Sequence, residues 1–282
     1  FLLLIMKKKI LILGVTGMLG YNSYKILKNK NYDVFGTCRN MYNLDDPNII
    51  FFEHSIDNII DNINKIKPNI IINCIAQLRE NSYQDKNNMV YSNCIIPINI
   101  CKYCKDNNIY FIHFSTDAVF KSSNEYHSIN SNYSPESFYG MTKSLSESIS
   151  NDSLVLRICP IEYDKFKRKS LFNFIYDNKD SNIRGYKNVY FNGTTTIVII
   201  NEIIKIIDSK ENYKYGIHHI TGPKISKFDL LEIINEEFNL NKKIISVNEP
   251  SISRLLKDDI LDSSKLNWRK MIEDLKLITN SY

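Results

Sequence analysis

The sequence predicts an α/β chain built on a doubly wound parallel sheet, with a smaller C-terminal lobe. Three observations predict it. Across the first 160 residues, short apolar runs alternate with longer helix-like stretches. Those runs are apolar on both faces, as strands covered from both sides must be. A glycine-rich turn, Gly14-Val15-Thr16-Gly17-Met18-Leu19-Gly20, joins the first run to the first helical stretch.

The elements follow in order. Lys9 to Leu13 reads as a buried strand and Gly17 to Asn29 as a helix. Strands are expected over 32–37 and 49–52, then a helix over 56–66 and a strand over 69–74. A helix over 89–105 precedes a strand over 109–114. A helix over 138–148 and a strand over 154–158 complete the alternation. After Pro160 the regularity loosens: helix 194–207, strand 216–220, and helix 226–238 opened by a serine cap. Ligands of open parallel sheets bind outside the carboxyl ends of the strands, so residues just after each strand carry the weight.

Composition narrows the class. Of 282 residues, 43% are hydrophobic and 24% charged, which excludes a disordered or collagen-like chain. No apolar run reaches the roughly 18 residues of a membrane span. The net charge of +5 is spread along the chain without a clustered basic face, so no nucleic-acid partner is expected. The six cysteines do not read as a disulfide scaffold, and Cys101/Cys104 is a lone C-x-x-C without a second pair; no metal is expected. The apolar residues Phe1 to Ile5 precede the lysines instead of following them, the reverse of a secretory leader. Met6 is therefore the expected start and the cytoplasm the expected location.

Glycine is scarce, with 9 in the chain, yet three fall within seven residues. Small residues at a strand-to-helix turn let the backbone approach a pyrophosphate at the helix N-terminus. No G-K-[ST] follows, which excludes a phosphate-loop nucleotidase. In nicotinamide sites an acid after the second strand takes the ribose 2′-hydroxyl, whereas an arginine accepts a 2′-phosphate. Arg39 stands there and Asp33 lies at the wrong end of the strand, which favours NADP(H) over NAD(H). The expected domains are a dinucleotide-binding unit over 6–160 and a mainly substrate-binding lobe over 161–282, with helix 194–207 packing back on the first unit.

Tyr139 and Lys143 form a Y-x-x-x-K pair. With 18 Tyr in the chain, chance alone supplies about two such spacings, and the sequence holds four: Tyr21/Lys25, Tyr24/Lys28, Tyr139/Lys143 and Tyr163/Lys167. Context selects one. Only Tyr139/Lys143 opens a helix shortly after a strand ending in Ser115-Thr116-Asp117. Residues i and i+4 share a helix face, so Lys143 is expected to lower the Tyr139 pKa and make it a proton donor near neutral pH. Thr116 is placed to bond the same substrate oxygen.

With these residues in hand, the chain resembles the dTDP-4-dehydrorhamnose reductase family of extended short-chain dehydrogenases/reductases, whose sheet is Rossmann-type. The glycine turn, Asn73-Cys74-Ile75-Ala76, Asn93 with Pro97, Ser115-Thr116-Asp117-Ala118-Val119-Phe120, Tyr139 to Lys143 with Glu147, and Asn192-Gly193-Thr194-Thr195-Thr196 carry the likeness. So do 216–222, 226–231 and 261–266. The resemblance implies NADPH-dependent reduction of the C4 ketone of a nucleotide-linked 4-keto-6-deoxyhexose, in deoxysugar and surface-polysaccharide biosynthesis. It implies Thr116, Tyr139 and Lys143 as catalytic residues. Gly14, Thr16, Gly17, Met18, Leu19, Gly20, Arg39, Cys74, Ala76, Asn93, Tyr139 and Lys143 would hold the coenzyme. Gln77, Arg79, Thr116, Asp117, Ala118, Asn192 and Thr195 would hold the nucleotide-diphosphate sugar. The family pattern departs at Ala118, usually larger, and at Ile158-Cys159, usually Thr-Ser. Two alternatives stay open: a bifunctional 3- or 5-epimerase/4-reductase, with Cys74, His113 and His219 as its further acid–base candidates, and a non-catalytic NADP-binding regulatory subunit like that of methionine adenosyltransferase. No membrane partner is expected, and a homodimer is the candidate assembly.

Overall fold

The computed structural model describes residues 7–30, 32–40, 42, 44–78, 83–209 and 214–279. Strands β1 (Lys9–Leu13), β2 (Asp33–Cys38), β3 (Ile49–Phe51), β4 (Ile70–Asn73) and β5 (Tyr110–Thr116) join Leu154–Ile158 and Gly216–His219 in one seven-stranded sheet. All its pairings are parallel. The spatial order is 216–219, 154–158, β5, β4, β1, β2, β3. The direction of winding reverses between β1 and β4, which opens a crevice at the carboxyl ends of the strands. Helices α1 (Met18–Lys28), α2 (Ile56–Ile66), α3 (Tyr83–Val90), α4 (Ile96–Asp106), α5 (Phe138–Ser146), α6 (Leu171–Tyr176), α7 (Thr196–Asp208), α8 (Lys227–Glu237) and α9 (Trp268–Thr279) surround the sheet or build the C-terminal stretch.

The period of two sorts the strand side chains into two cores. Ile10, Ile12, Ile70, Ile72 and Ile112 face one side; Leu11, Leu13, Ile71 and Phe111 face the other. Ile59 and Ile63 of α2 and Ile100 of α4 cover the second face. Leu27 of α1 and Ile199, Ile200, Ile203 and Ile207 of α7 cover the first. The α7 isoleucines recur at helical spacing, so one stripe of that helix faces the sheet and α1. Each fully buried Ile or Leu contributes about 1.5–3 kcal/mol. Helix α2 shows how sequence sets its limits. Ser55 accepts the Asn58 N–H at 3.2 Å at its start. Lys67, left-handed at φ +54° and followed by Pro68, ends it.

A third core lies in the C-terminal stretch, where Phe172, Ile175, Leu230, Leu231, Ile234, Trp268, Met271, Ile272 and Leu275 meet. Helix α9 and several strands of two to five residues lie there without counterpart in the sequence reading. The helix expected over 89–105 begins at Tyr83 and includes a π-helical turn, Tyr91–Ile95, between α3 and α4. Among the described residues no helix is long and apolar enough to cross a membrane.

Candidate active site

Gly14, at the end of β1, takes a left-handed φ of +85°. Its N–H and that of Val15 both donate to the Thr37 carbonyl, at 3.0 and 2.8 Å, which ties the turn to β2. A Cβ on Gly20 would collide with the Gly14 carbonyl oxygen, so α1 can start hard against the turn. Helix α1 opens with no capping side chain and no acidic residue in its first turn. Helices α2, α5, α6 and α8 each have a serine cap instead. The amide end of α1, with its partial positive charge, is thus left to face the crevice.

That crevice is a cleft of about 680 Å³. Gly17, Met18, Leu19 and Arg39 line it, as do Cys74, Ala76, Gln77, Thr116, Asp117, Tyr139 and Lys143. Helix α5 is capped by its own serine and brought to the cleft by one close contact. Ser137 accepts the Gly140 N–H at 3.0 Å. Gly140 itself lies so close to the Ala118 carbonyl that a Cβ would collide with it. This close approach sets Tyr139 in the cleft wall together with Thr116, whose hydroxyl works against the rise of the phenol's pKa. Thr116 Oγ1 donates to Asp117 Oδ1 at 3.0 Å and accepts the Ala118 N–H at 3.2 Å.

The electrostatics correct one expectation. Burial, and then the neighbouring Asp117, push the Tyr139 pKa up, not down. Lys143 shares the helix face, but its ammonium turns under α5 to lie 3.2 Å from His113 Nε2 on β5. Burial pushes the lysine down to about 8, against the pull of Glu147. His113 is held well below its usual value by burial and by Lys143. Its Nδ1 lies 3.0 Å from Asn73 Nδ2, and Asn73 Oδ1 accepts the Ile75 N–H at 3.1 Å. Tyr139 therefore keeps its proton at neutral pH, the state required of a donor.

Other expected site residues lie elsewhere. Gly14, Thr16 and Gly20 shape the turn but do not line the cleft. Asn93 is fully buried in the π turn. It accepts the Gln77 N–H at 2.8 Å and donates to the Gln77 carbonyl at 2.9 Å and to Thr142 Oγ1 at 3.0 Å. It therefore positions Gln77 without facing the cleft. Ala118 contributes its carbonyl to the Gly140 contact. Asn192 donates to the Leu256 carbonyl at 2.7 Å and accepts its N–H at 2.9 Å. Thr195 is wholly buried, because Thr194–Thr195 pairs as a short strand with Pro160–Ile161. Arg79 lies outside the described residues. Of the additional acid–base candidates, Cys74 lines the cleft, its thiol pushed up by burial. His113 and His219 do not: His219 is buried against Arg157 (3.2 Å) and the Lys257 carbonyl (3.0 Å). Among the described residues no group of three His, Cys, Asp or Glu side chains is placed to hold a metal ion.

The sequence reading names Cys159 only as a departure from the family pattern and misses the segment Asp164, Lys167, Lys169 and Ser170 as site residues; all of these line the cleft. Four cations in the five residues 165–169 were the legible signal.

A seven-stranded parallel sheet with a glycine turn at its first crossover and a cleft at its switch point defines a Rossmann-type α/β protein. More narrowly, the chain belongs to the RmlD substrate binding domain family, whose model matches residues 7–274. Among solved structures it is similar to a dTDP-4-dehydrorhamnose reductase from Bacillus anthracis in complex with NADP, with a TM-score of 0.80 and 18% identity over 97% of this chain and 100% of that one. It is also similar to a dTDP-4-dehydrorhamnose reductase from Clostridium acetobutylicum, with a TM-score of 0.76 and 22% identity over 96% and 99%. At these identities the likeness is one of fold. Methionine adenosyltransferase 2 subunit beta from Danio rerio is 26% identical over 158 residues, which are 54% of this chain and 45% of that protein. The chain thus matches less than half the length of that relative.

Proposed function

We propose that this chain reduces the C4 ketone of a nucleotide-activated 4-keto-6-deoxyhexose, using NADPH. The observation that carries the reading is that Thr116, Tyr139 and Lys143 share one cleft with the glycine turn and Arg39. The residues fit the coenzyme. The uncapped end of α1 above a glycine cradle suits a pyrophosphate, and Arg39 at the rim suits a 2′-phosphate. The family and the named activities of the two solved structures support the same reading.

When bound, the coenzyme supplies a hydride to the ketone carbon. The chain's residues handle the oxygen. The Thr116 hydroxyl and the Tyr139 phenol polarise it, and Tyr139 gives up its proton as the alkoxide forms. Lys143 holds the nicotinamide ribose and offsets the charge left on the phenolate. Asp117 keeps Thr116 oriented through their hydrogen bond. Gln77 lines the same cleft and positions the sugar nucleotide.

The test mixes the protein with NADPH and a panel of dTDP- and UDP-linked 4-keto-6-deoxy sugars and follows the reduced-nicotinamide absorbance. Oxidation with at least one sugar is expected, as is a loss of about 10²–10⁴-fold in Tyr139→Phe. Oxidation with none of them contradicts the proposal. The partial match to the methionine adenosyltransferase beta subunit supports a second reading, a regulatory subunit that binds NADP without turning over. Tight NADPH binding without turnover on any sugar, together with a changed rate of an added methionine adenosyltransferase, selects that reading.

A further inference from the structure

The segment that follows Pro160–Ile161 leaves the C-terminal stretch and docks on the coenzyme side of the molecule. Phe166 packs edge-on against Tyr21 of α1, with ring centroids 5.1 Å apart, and lies tilted against Tyr42, just past β2, at 4.5 Å. Lys165 Nζ donates to the Tyr21 hydroxyl at 3.0 Å. Asn22 Nδ2 donates to the Tyr163 carbonyl at 3.1 Å. The segment is therefore anchored to the helix that opens at the glycine turn and to the chain that follows β2. These are the regions where the dinucleotide's pyrophosphate and adenosine ribose would lie.

Its internal order presents two lysines. Asp164 is buried; Oδ1 accepts the Lys167 N–H at 3.1 Å and Oδ2 the Lys169 N–H at 3.3 Å. Arg168, between them, takes a left-handed φ of +52°, unusual for a residue with a side chain. Its guanidinium is held by Asp177 and by the Tyr163 hydroxyl. Lys167 and Lys169 line the same cleft as Gly17 to Leu19 and Arg39. Among the described residues no carboxylate lies within ion-pair distance of Lys167, Lys169 or Arg39, although cations elsewhere in the chain are paired. Three unpaired cations around the open end of a helix repel one another, and an anion of several charges relieves this.

We propose that Lys167 and Lys169 form a cationic strap that binds the phosphate groups of the nicotinamide dinucleotide, a coenzyme contact reaching over from the C-terminal stretch. The inference rests on the reading that this cleft holds that coenzyme. The diphosphate of a sugar nucleotide has the same chemistry; anchoring on α1 and on Tyr42 favours the coenzyme.

Equilibrium titration of the full chain, followed by reduced-nicotinamide fluorescence, tests this with NADPH and NADH; dTDP, a probe of the sugar-nucleotide diphosphate, is titrated by calorimetry. In Lys167→Ala/Lys169→Ala the Kd for NADPH rises roughly tenfold or more. That for NADH rises as well, that for dTDP stays within twofold, and the salt dependence of NADPH binding flattens. Lys65→Ala/Lys102→Ala removes the same charge from exposed positions on α2 and α4 and leaves the Kd unchanged. Lys167→Gln/Lys169→Gln repeats the measurement with side-chain length retained, and thermal midpoints without coenzyme establish that each variant is folded. An unchanged NADPH Kd in folded variants, or a loss confined to dTDP, overturns the strap while leaving the function proposed above intact. Failure of the unaltered chain to bind either dinucleotide overturns both.

Discussion

Glu162 is wholly buried and, among the described residues, pairs with no cation. Its carboxylate accepts the amides of Tyr163 and Thr196, each at 3.2 Å, at the start of α7. Burial pushes its pKa up to about 7. A carboxyl whose folded pKa lies above its unfolded value favours the fold while protonated. That preference is lost as pH rises from the unfolded value towards 7. Glu162→Gln does not titrate, so the stability difference between the two proteins shifts towards the variant between pH 5 and pH 8, by on the order of 3 kcal/mol. Urea unfolding at both pH values checks this, and a difference independent of pH refutes it. His54 and His219, both held near 4 mainly by burial, titrate alike in the two proteins and cancel. At this scale the sequence singled out Tyr139, Lys143 and Thr116 by context, and all three line the cleft. The turn of Lys143 towards His113 was not legible, because nothing local says how deep β5 lies under α5. Asn93 and Asn192 are motif residues whose amides turn out to bind backbone, a distinction that depends on partners 16 and 64 positions away.

Two elements depend on single contacts. Gly140→Ala places a methyl group on the Ala118 carbonyl, so α5 must retreat from the turn after β5. A loss of about 1–3 kcal/mol in stability is expected, with a larger loss of turnover than of NADPH affinity, since Tyr139 moves with the helix. Steady-state kinetics beside a coenzyme titration separates the two. The end of α5 is held to the strand Leu154–Ile158 by a buried pair, Arg157 Nη2 to Glu147 Oε2 at 2.7 Å. Tyr133 donates to the same oxygen, and Ser115 to the other. The Arg157 guanidinium also stacks on the Phe120 ring, 4.8 Å from its centroid. Arg157→Leu leaves that carboxylate buried without a cation and is expected to cost about 3–5 kcal/mol, read from the denaturant midpoint. A cost below 1 kcal/mol contradicts a fully buried pair. The parallel strands were readable because burial on both faces demands unbroken apolar runs. The two-residue strands at 126–127, 160–161 and 194–195 were not, since pairing with a distant segment is all that defines them. Helix α9 carries a readable signal in Trp268, Met271, Ile272 and Leu275, spaced to share one face.

Across the whole molecule, the two faces of the sheet and the C-terminal stretch each have a core, and α7 joins the sheet core to chain beyond residue 160. The cleft draws on both parts: the glycine turn, Gln77 and Thr116 from the first 160 residues, Asp164 to Ser170 from the rest. The first set was legible because each residue follows a strand. The second carried one signal, the four cations within 165–169, but only the folded chain shows that residues 164–170 lie over α1. The most direct measurement uses NADPH deuterated at the transferable position of its nicotinamide, with a dTDP- or UDP-linked 4-keto-6-deoxyhexose, and reads the product by nuclear magnetic resonance. One deuterium at C4 of the sugar, absent when Tyr139→Phe replaces the unaltered chain, is the predicted result. A protein that binds NADPH tightly yet leaves C4 free of deuterium with every sugar offered contradicts the account.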